Sequence, residues 1–104
     1  MEKKDRDISL SFKKLLVERL GKVDVIVFGS RARGDNESDS DLDICVIVDS
    51  LDRETRDIIF DCAWEVSFSE GTVIVPVIFS EDEIQGALGN SPIYRNVEQE
   101  GIRI

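Results

Sequence analysis

Two short apolar runs rich in β-branched side chains constrain this chain more than any other feature. The first holds Val23, Val25, Ile26, Val27 and Phe28; the second holds Leu42, Ile44, Cys45, Val46, Ile47 and Val48. Each is strand-length, and neither shows the 3.6-residue spacing of a helix. The segment between them, residues 29–40, is polar and contains Gly29 and Gly34. Consecutive strands tend to lie side by side. The end of the first run and the start of the second are therefore expected to meet.

The remaining elements follow from periodicity and capping. Phe12, Leu15, Leu16 and Leu20 form one stripe, so a helix is predicted over residues 11–20 with Gly21 as its stop. Ile59, Cys62, Ala63 and Val66 give a second helix over residues 52–68, ended by Gly71. A third strand spans residues 72–79. Ser80 with Glu83 is a capping-box pattern, and Ser91-Pro92 marks another helix start. Gly101 stops that helix, and residues 102–104 read as an edge strand. The order α-β-β-α-β-α-α predicts an α/β (α+β) fold: a small mixed β-sheet with helices packed on one face.

The 104 residues suit one domain, 1–104. No apolar stretch is long enough to span a membrane, and the start of the chain lacks the apolar run of a signal peptide. A cytoplasmic protein is expected, with Cys45 and Cys62 as buried, reduced thiols. There is no histidine, which excludes Ser-His-Asp and Cys-His mechanisms and makes a zinc site improbable. The net charge is −9, and residues 35–104 hold most of the acids. Such a chain repels a nucleic acid backbone, so a long nucleic acid is not the expected partner.

The chemistry concentrates between the first two strands. Gly29 lets backbone approach a ligand closely, and a short helix starting at Ser30 would turn free N–H groups toward a phosphate. Alternatively, Gly29-Ser30 is a plain turn with a helix cap. Arg31 and Arg33 offer charge-assisted contacts. The segment is not a P-loop, because Asp35 and Asn36 stand where lysine and serine or threonine are required. Nor is Asp39-Ser40-Asp41-Leu42-Asp43 an EF-hand, since Ile44 and Ser50 occupy the glycine and glutamate positions. On a strand, Asp41 and Asp43 share one face, with Cα atoms about 6.6 Å apart. Two such carboxylates repel unless a cation sits between them, and magnesium is the natural one. A solvated acidic pair is the competing reading.

Gly29-Ser30-Arg31-Ala32-Arg33-Gly34 followed by Ser40-Asp41-Leu42-Asp43 resembles the signature of the DNA polymerase β-like nucleotidyltransferase superfamily, and most of all its minimal nucleotidyltransferases (MNT type). The ending, from Ser91-Pro92-Ile93-Tyr94 through Glu100-Gly101-Ile102, is also similar. The resemblance implies triphosphate binding at Gly29 and Ser30, phosphate contact from Arg33, and Mg2+ binding at Asp41 and Asp43, with Asp41, Asp43 and Ser30 as the catalytic set. It implies a nucleotidyltransferase that moves a nucleoside monophosphate, AMP from magnesium-ATP, to a hydroxyl on a protein or small-molecule acceptor. The alternative is a catalytically weakened, antitoxin-like subunit that binds nucleotide and docks to a HEPN-type all-helical protein. A homo-oligomer is compatible with either. Many members of the superfamily carry a third carboxylate on a later strand. Here the expected slot, near Pro76 or Val77, holds no acid.

Overall fold

The computed structural model describes residues 1–104. Its elements are helix α1 (Lys3–Leu20), strand β1 (Asp24–Phe28), helix α2 (Ser30–Arg33), strand β2 (Leu42–Val48), helix α3 (Arg53–Glu70), strand β3 (Ile74–Ser80), helices α4 (Glu81–Gln85) and α5 (Pro92–Glu100), and strand β4 (Ile102–Arg103). A 3-10 turn, Ala87–Asn90, links α4 to α5. The sheet order is β3-β2-β1-β4. β1 runs antiparallel to β2 and β4, whereas β2 and β3 are parallel, joined through α3.

Alternation along β1 and β2 sorts the side chains onto two faces. Val25, Val27, Leu42, Ile44, Val46 and Val48 point toward α1 and α3 and build the main core with Ile8, Phe12, Leu16, Ile59, Cys62, Ala63 and Val66. The opposite face carries Ile26, Phe28, Cys45, Ile47 and Phe79. The mixed sheet with its long helices on one face is as expected. In addition, α5 covers part of the second face through Val97 and Tyr94, the latter edge-on to Phe79 at 5.4 Å between ring centroids. The second face is therefore closed over Cys45 and Ile47 and left open toward the N-terminal end of β2.

The Ser80–Glu83 capping box forms as predicted, and Ser91 caps α5 through the Tyr94 N–H. β4 is the predicted edge strand, added beside β1. Pro76 is tolerated because β3 is the other edge, where a missing N–H breaks no ladder.

Helix α1 begins at Lys3, eight residues before the predicted start at residue 11. Its first turns lack an apolar stripe because a charged residue takes an inward position. Asp5 is only 1 % exposed and lies in line with Ile8, Phe12 and Leu16. Its Oδ1 accepts a hydrogen bond from Arg31 Nη1 at 2.8 Å. The same guanidinium donates from Nε and Nη2 to the Ser40 carbonyl, at 2.9 and 2.5 Å. One buried side chain thus ties the start of α1, the short α2 and the entry to β2 to each other.

Removing one member of a buried pair leaves the other charge uncompensated, which costs about 3–5 kcal/mol. Asp5→Ala should lower stability by about that amount in urea denaturation. The Asp5→Leu, Arg31→Met double variant should recover much of the loss, because it buries no lone charge.

Candidate functional site

The antiparallel register sets Phe28, the last residue of β1, opposite Asp43. The chain leaves β1 through Gly29, whose φ of 78° lies in the left-handed region. A Cβ built on Gly29 would collide with the Asp43 carboxylate. The backbone conformation calls for glycine, and any Cβ there would also push the Asp43 carboxylate aside. α2 then makes a single turn and ends at Gly34, another left-handed residue, whose N–H returns to the Ser30 carbonyl at 2.8 Å. Gly29, not Ser30, is the N-cap residue of α2, and no side chain caps the helix. The Ser30 hydroxyl is therefore not spent on capping.

The structure brings Gly29 and Ser30 up to the acidic end of β2, as expected. Asp41 is exposed and Asp43 half-buried, while Leu42 between them is fully buried on the helix-covered face. Asp43 sits above the ordinary carboxylate range, first because burial disfavours its charge and then because Asp41 repels it. Arg33 opposes this shift, and Glu100 adds to it. Hard oxygen donors that repel each other, with no thiol or imidazole joining them, fit magnesium in chemical kind. No group of three or more acidic, cysteine or histidine side chains gathers at one point, so the protein offers a pair.

Arg31 departs from expectation. Its guanidinium is not free for a phosphate contact: it is buried and engaged by Asp5 and the Ser40 carbonyl. It shapes the loop and is turned away from the open face. Arg33, at the same face as Asp43, is exposed. Its Nη1 donates to Glu100 Oε2 at 2.8 Å and its Nε to Asp35 at 3.1 Å. Glu100 Oε1 accepts the Gly29 N–H at 3.1 Å. Sequence reasoning assigned no role to Glu100. Nothing in local spacing ties it to Gly29 or Arg33; only the similarity of the chain's ending pointed to that region.

The parallel register of β3 shows which of its side chains share the face of Asp43. Val75 lies beside Asp43, Val77 beside Cys45, and Pro76 beside Ile44 on the other face. The side chain adjacent to Asp43 is thus that of Val75, with Val77 two residues further along the same face. Both cysteines are free and buried, as expected, and burial pushes the Cys45 thiol up to about 12. It is no nucleophile near neutral pH.

The nucleotidyltransferase domain family matches residues 10–104. The chain belongs to this family. A Methanocaldococcus jannaschii protein provisionally named protein adenylyltransferase MJ0604 is 34% identical over 77 residues, covering 74% of this chain and 72% of its own. Among solved structures, a toxin–antitoxin complex with AMP-PNP contains a chain matching at TM-score 0.67 and 23% identity, over 91% of this chain and 70% of that one. A complex of a tri-AMPylated Shewanella oneidensis HEPN toxin with an MNT antitoxin matches at TM-score 0.61 and 20% identity, over 95% and 70%. These two likenesses establish a shared fold.

In this nucleotidyltransferase, the raised Asp43 has a consequence for stability. Its folded carboxyl holds a proton to higher pH than the unfolded one. Between the two values the native state binds more protons, so stability falls as pH rises through that window, and the penalty persists above it. Asp43→Asn lacks this penalty. In cation-free buffer the variant should melt higher than the parent at pH 7, and the gap should close as pH falls toward about 4. Calorimetry across that range checks both the sign and the closing.

Proposed function

We propose that this nucleotidyltransferase transfers AMP from magnesium-ATP to a hydroxyl on a protein acceptor. The observation that carries the reading is the contact between the Gly29 turn and the Asp43 carboxylate, which sets the backbone of that turn beside the acidic end of β2. Gly29 and Ser30 would hold the β- and γ-phosphates with backbone N–H and hydroxyl, and Arg33 would add a charge-assisted contact. Asp41 and Asp43 would hold Mg2+, which when bound neutralises charge on the phosphates. An acceptor oxygen attacks the α-phosphorus, the bond to the pyrophosphate oxygen breaks, and pyrophosphate leaves with its electron pair. The hydroxyl proton passes to solvent or to a base from the acceptor, because the side chain beside Asp43 on β3 is Val75. General-base assistance contributes about 10²- to 10⁴-fold. The isolated domain should therefore be slow. The adenylyltransferase name of the archaeal relative supports AMP as the group moved.

Saturating magnesium-ATP should raise the melting temperature, by the equivalent of about 2.7 kcal/mol at a hundred times the dissociation constant. The Asp41→Asn, Asp43→Asn double variant should show no such rise and no labelled product from α-³²P-ATP. An unchanged melting curve for the parent protein in millimolar magnesium-ATP would remove the basis of this proposal.

A second reading, a subunit that docks to a HEPN-type helical protein, is favoured by one surface. Phe60, Trp64 and Phe68 follow one another at four-residue intervals on α3 and are exposed, Phe68 by 78 %. Trp64 and Phe68 meet edge-on at 5.4 Å. Around the free edge of β3 this stripe joins Val73 and Val75, which are also exposed. Acids at Asp57, Asp61 and Glu65 flank it, so the complementary surface is apolar with a basic rim. The two readings are compatible, since Val75 links this surface to Asp43. The Trp64→Ala, Phe68→Ala variant should lose at least about 2 kcal/mol of affinity for a HEPN-type partner, the scale of an interface hot spot. Its response to magnesium-ATP should be unaltered. Titration calorimetry and thermal shift on one preparation separate the two effects.

A further inference from the structure

Glu100 engages two donors of the turn after β1. One carboxylate oxygen accepts the Gly29 N–H at 3.1 Å, and the other accepts from Arg33 Nη1 at 2.8 Å. The residue lies on α5, far from both partners in sequence, and only the fold brings it there. Its position also runs against helix electrostatics. Glu100 is the last residue of α5, beside the partial negative charge of the C-terminal carbonyls, where a cation is preferred. No basic residue occupies that turn, and Glu98 adds a second acid. An acid at that end gains nothing from the helix, but it does gain two charge-assisted contacts from the turn after β1.

Resting on the nucleotide site proposed above, we infer that Glu100 is a specificity-determining residue: its carboxylate occupies the phosphate position and must be displaced by the incoming nucleotide. Being part of the same chain, it competes at a high effective concentration. An anion that offers only replacement contacts to Gly29 and Arg33 gains little by displacing it. It also leaves the released carboxylate near Asp43 and Asp41, adding to an already negative site. A metal-bound triphosphate makes further contacts and brings a cation to that excess charge. Glu100 therefore rejects metal-free phosphates and selects the metal-bound polyphosphate. No covalent step is involved; the exchange is one anion for another on the same donors.

The test measures the affinity of the full chain for two probes, tripolyphosphate in EDTA and magnesium-ATP, by titration calorimetry. The parent protein should bind magnesium-ATP and bind tripolyphosphate weakly. Glu100→Gln keeps the size of the side chain but loses the charge, and should tighten tripolyphosphate binding on the order of tenfold, the scale of one charge-assisted hydrogen bond. Magnesium-ATP should tighten less, so the ratio between the probes narrows. Adding Arg33→Ala should abolish the gain. Glu98→Gln removes the same charge from the same helix end without touching Gly29 or Arg33, and should leave both affinities unchanged. Weaker magnesium-ATP binding in Glu100→Gln would overturn the inference, making Glu100 a supporting residue of the loaded site. An equal gain in Glu98→Gln would overturn it too, by reducing the effect to net charge, as would no change in either probe. If the parent and Glu100→Gln bind neither probe, the nucleotide site itself fails, a result distinct from a failure of Glu100 within a working site. Circular dichroism melting of each variant shows whether a lost affinity reflects unfolding.

Discussion

Arg31 is the one cation in the interior of this protein, and three separate segments close on it. Asp5 brings the first turns of α1, the Ser40 carbonyl brings the entry to β2, and Arg31 itself belongs to α2. A lone guanidinium could not be buried without these acceptors. The loop of residues 34–41 therefore has its exit fixed before β2 begins, and Asp41 and Asp43 have a defined place relative to Gly29. The other Asp5 oxygen has no hydrogen-bond partner. The pair is a registering device with a residual cost, not a maximally satisfied ion pair, and its return is the position of the loop.

The same division between anchoring and function recurs one residue at a time through α2. Arg31 faces in and is consumed by structure; Arg33, half a turn away, faces out toward Glu100 and Asp43. Helical geometry separates positions i and i+2 to opposite sides, so two arginines of similar chemistry acquire different tasks. At Asp43 the fold goes further and holds a carboxylate where burial and Asp41 both disfavour its charge. Functional sites commonly contain such groups. Stability is given up at this point, as the raised carboxyl of Asp43 shows.

The strands, their pairing and the glycine-to-carboxylate meeting were legible because they depend on local pattern: β-branched runs, a Gly29 turn and an i, i+2 acidic pair. The capping residues Ser80 and Ser91 were legible for the same reason. What escaped was long-range. Asp5 and Arg31 look like ordinary surface charges on polar segments, and only the packing of α1 over β1 and β2 buries them. Glu100 meets Gly29 because β4, which follows it, pairs with β1, a pairing invisible in spacing. The residue beside Asp43 depends on the parallel register of β2 with β3, which a shift of one residue would turn to the other face. The register sets Val75 directly beside Asp43, with Val77 two residues along the same face and Pro76 on the other.

These features bear on how so small a transferase could choose an acceptor. The covered half of the second sheet face is closed by α5 through Val97 and Tyr94, and the half that holds Asp41, Asp43 and Val75 is open. From that open half, an apolar and aromatic surface continues around the β3 edge onto α3. A protein that settles on Phe60, Trp64 and Phe68 would place its own groups at the mouth of the site. Binding energy gathered on α3 could then orient an acceptor hydroxyl, the role that remote contacts commonly serve in catalysis. On this view the valines of β3 are not a defect in the site. They would form an apolar wall between the aromatic stripe of α3 and the acidic pair, with the base supplied by the acceptor.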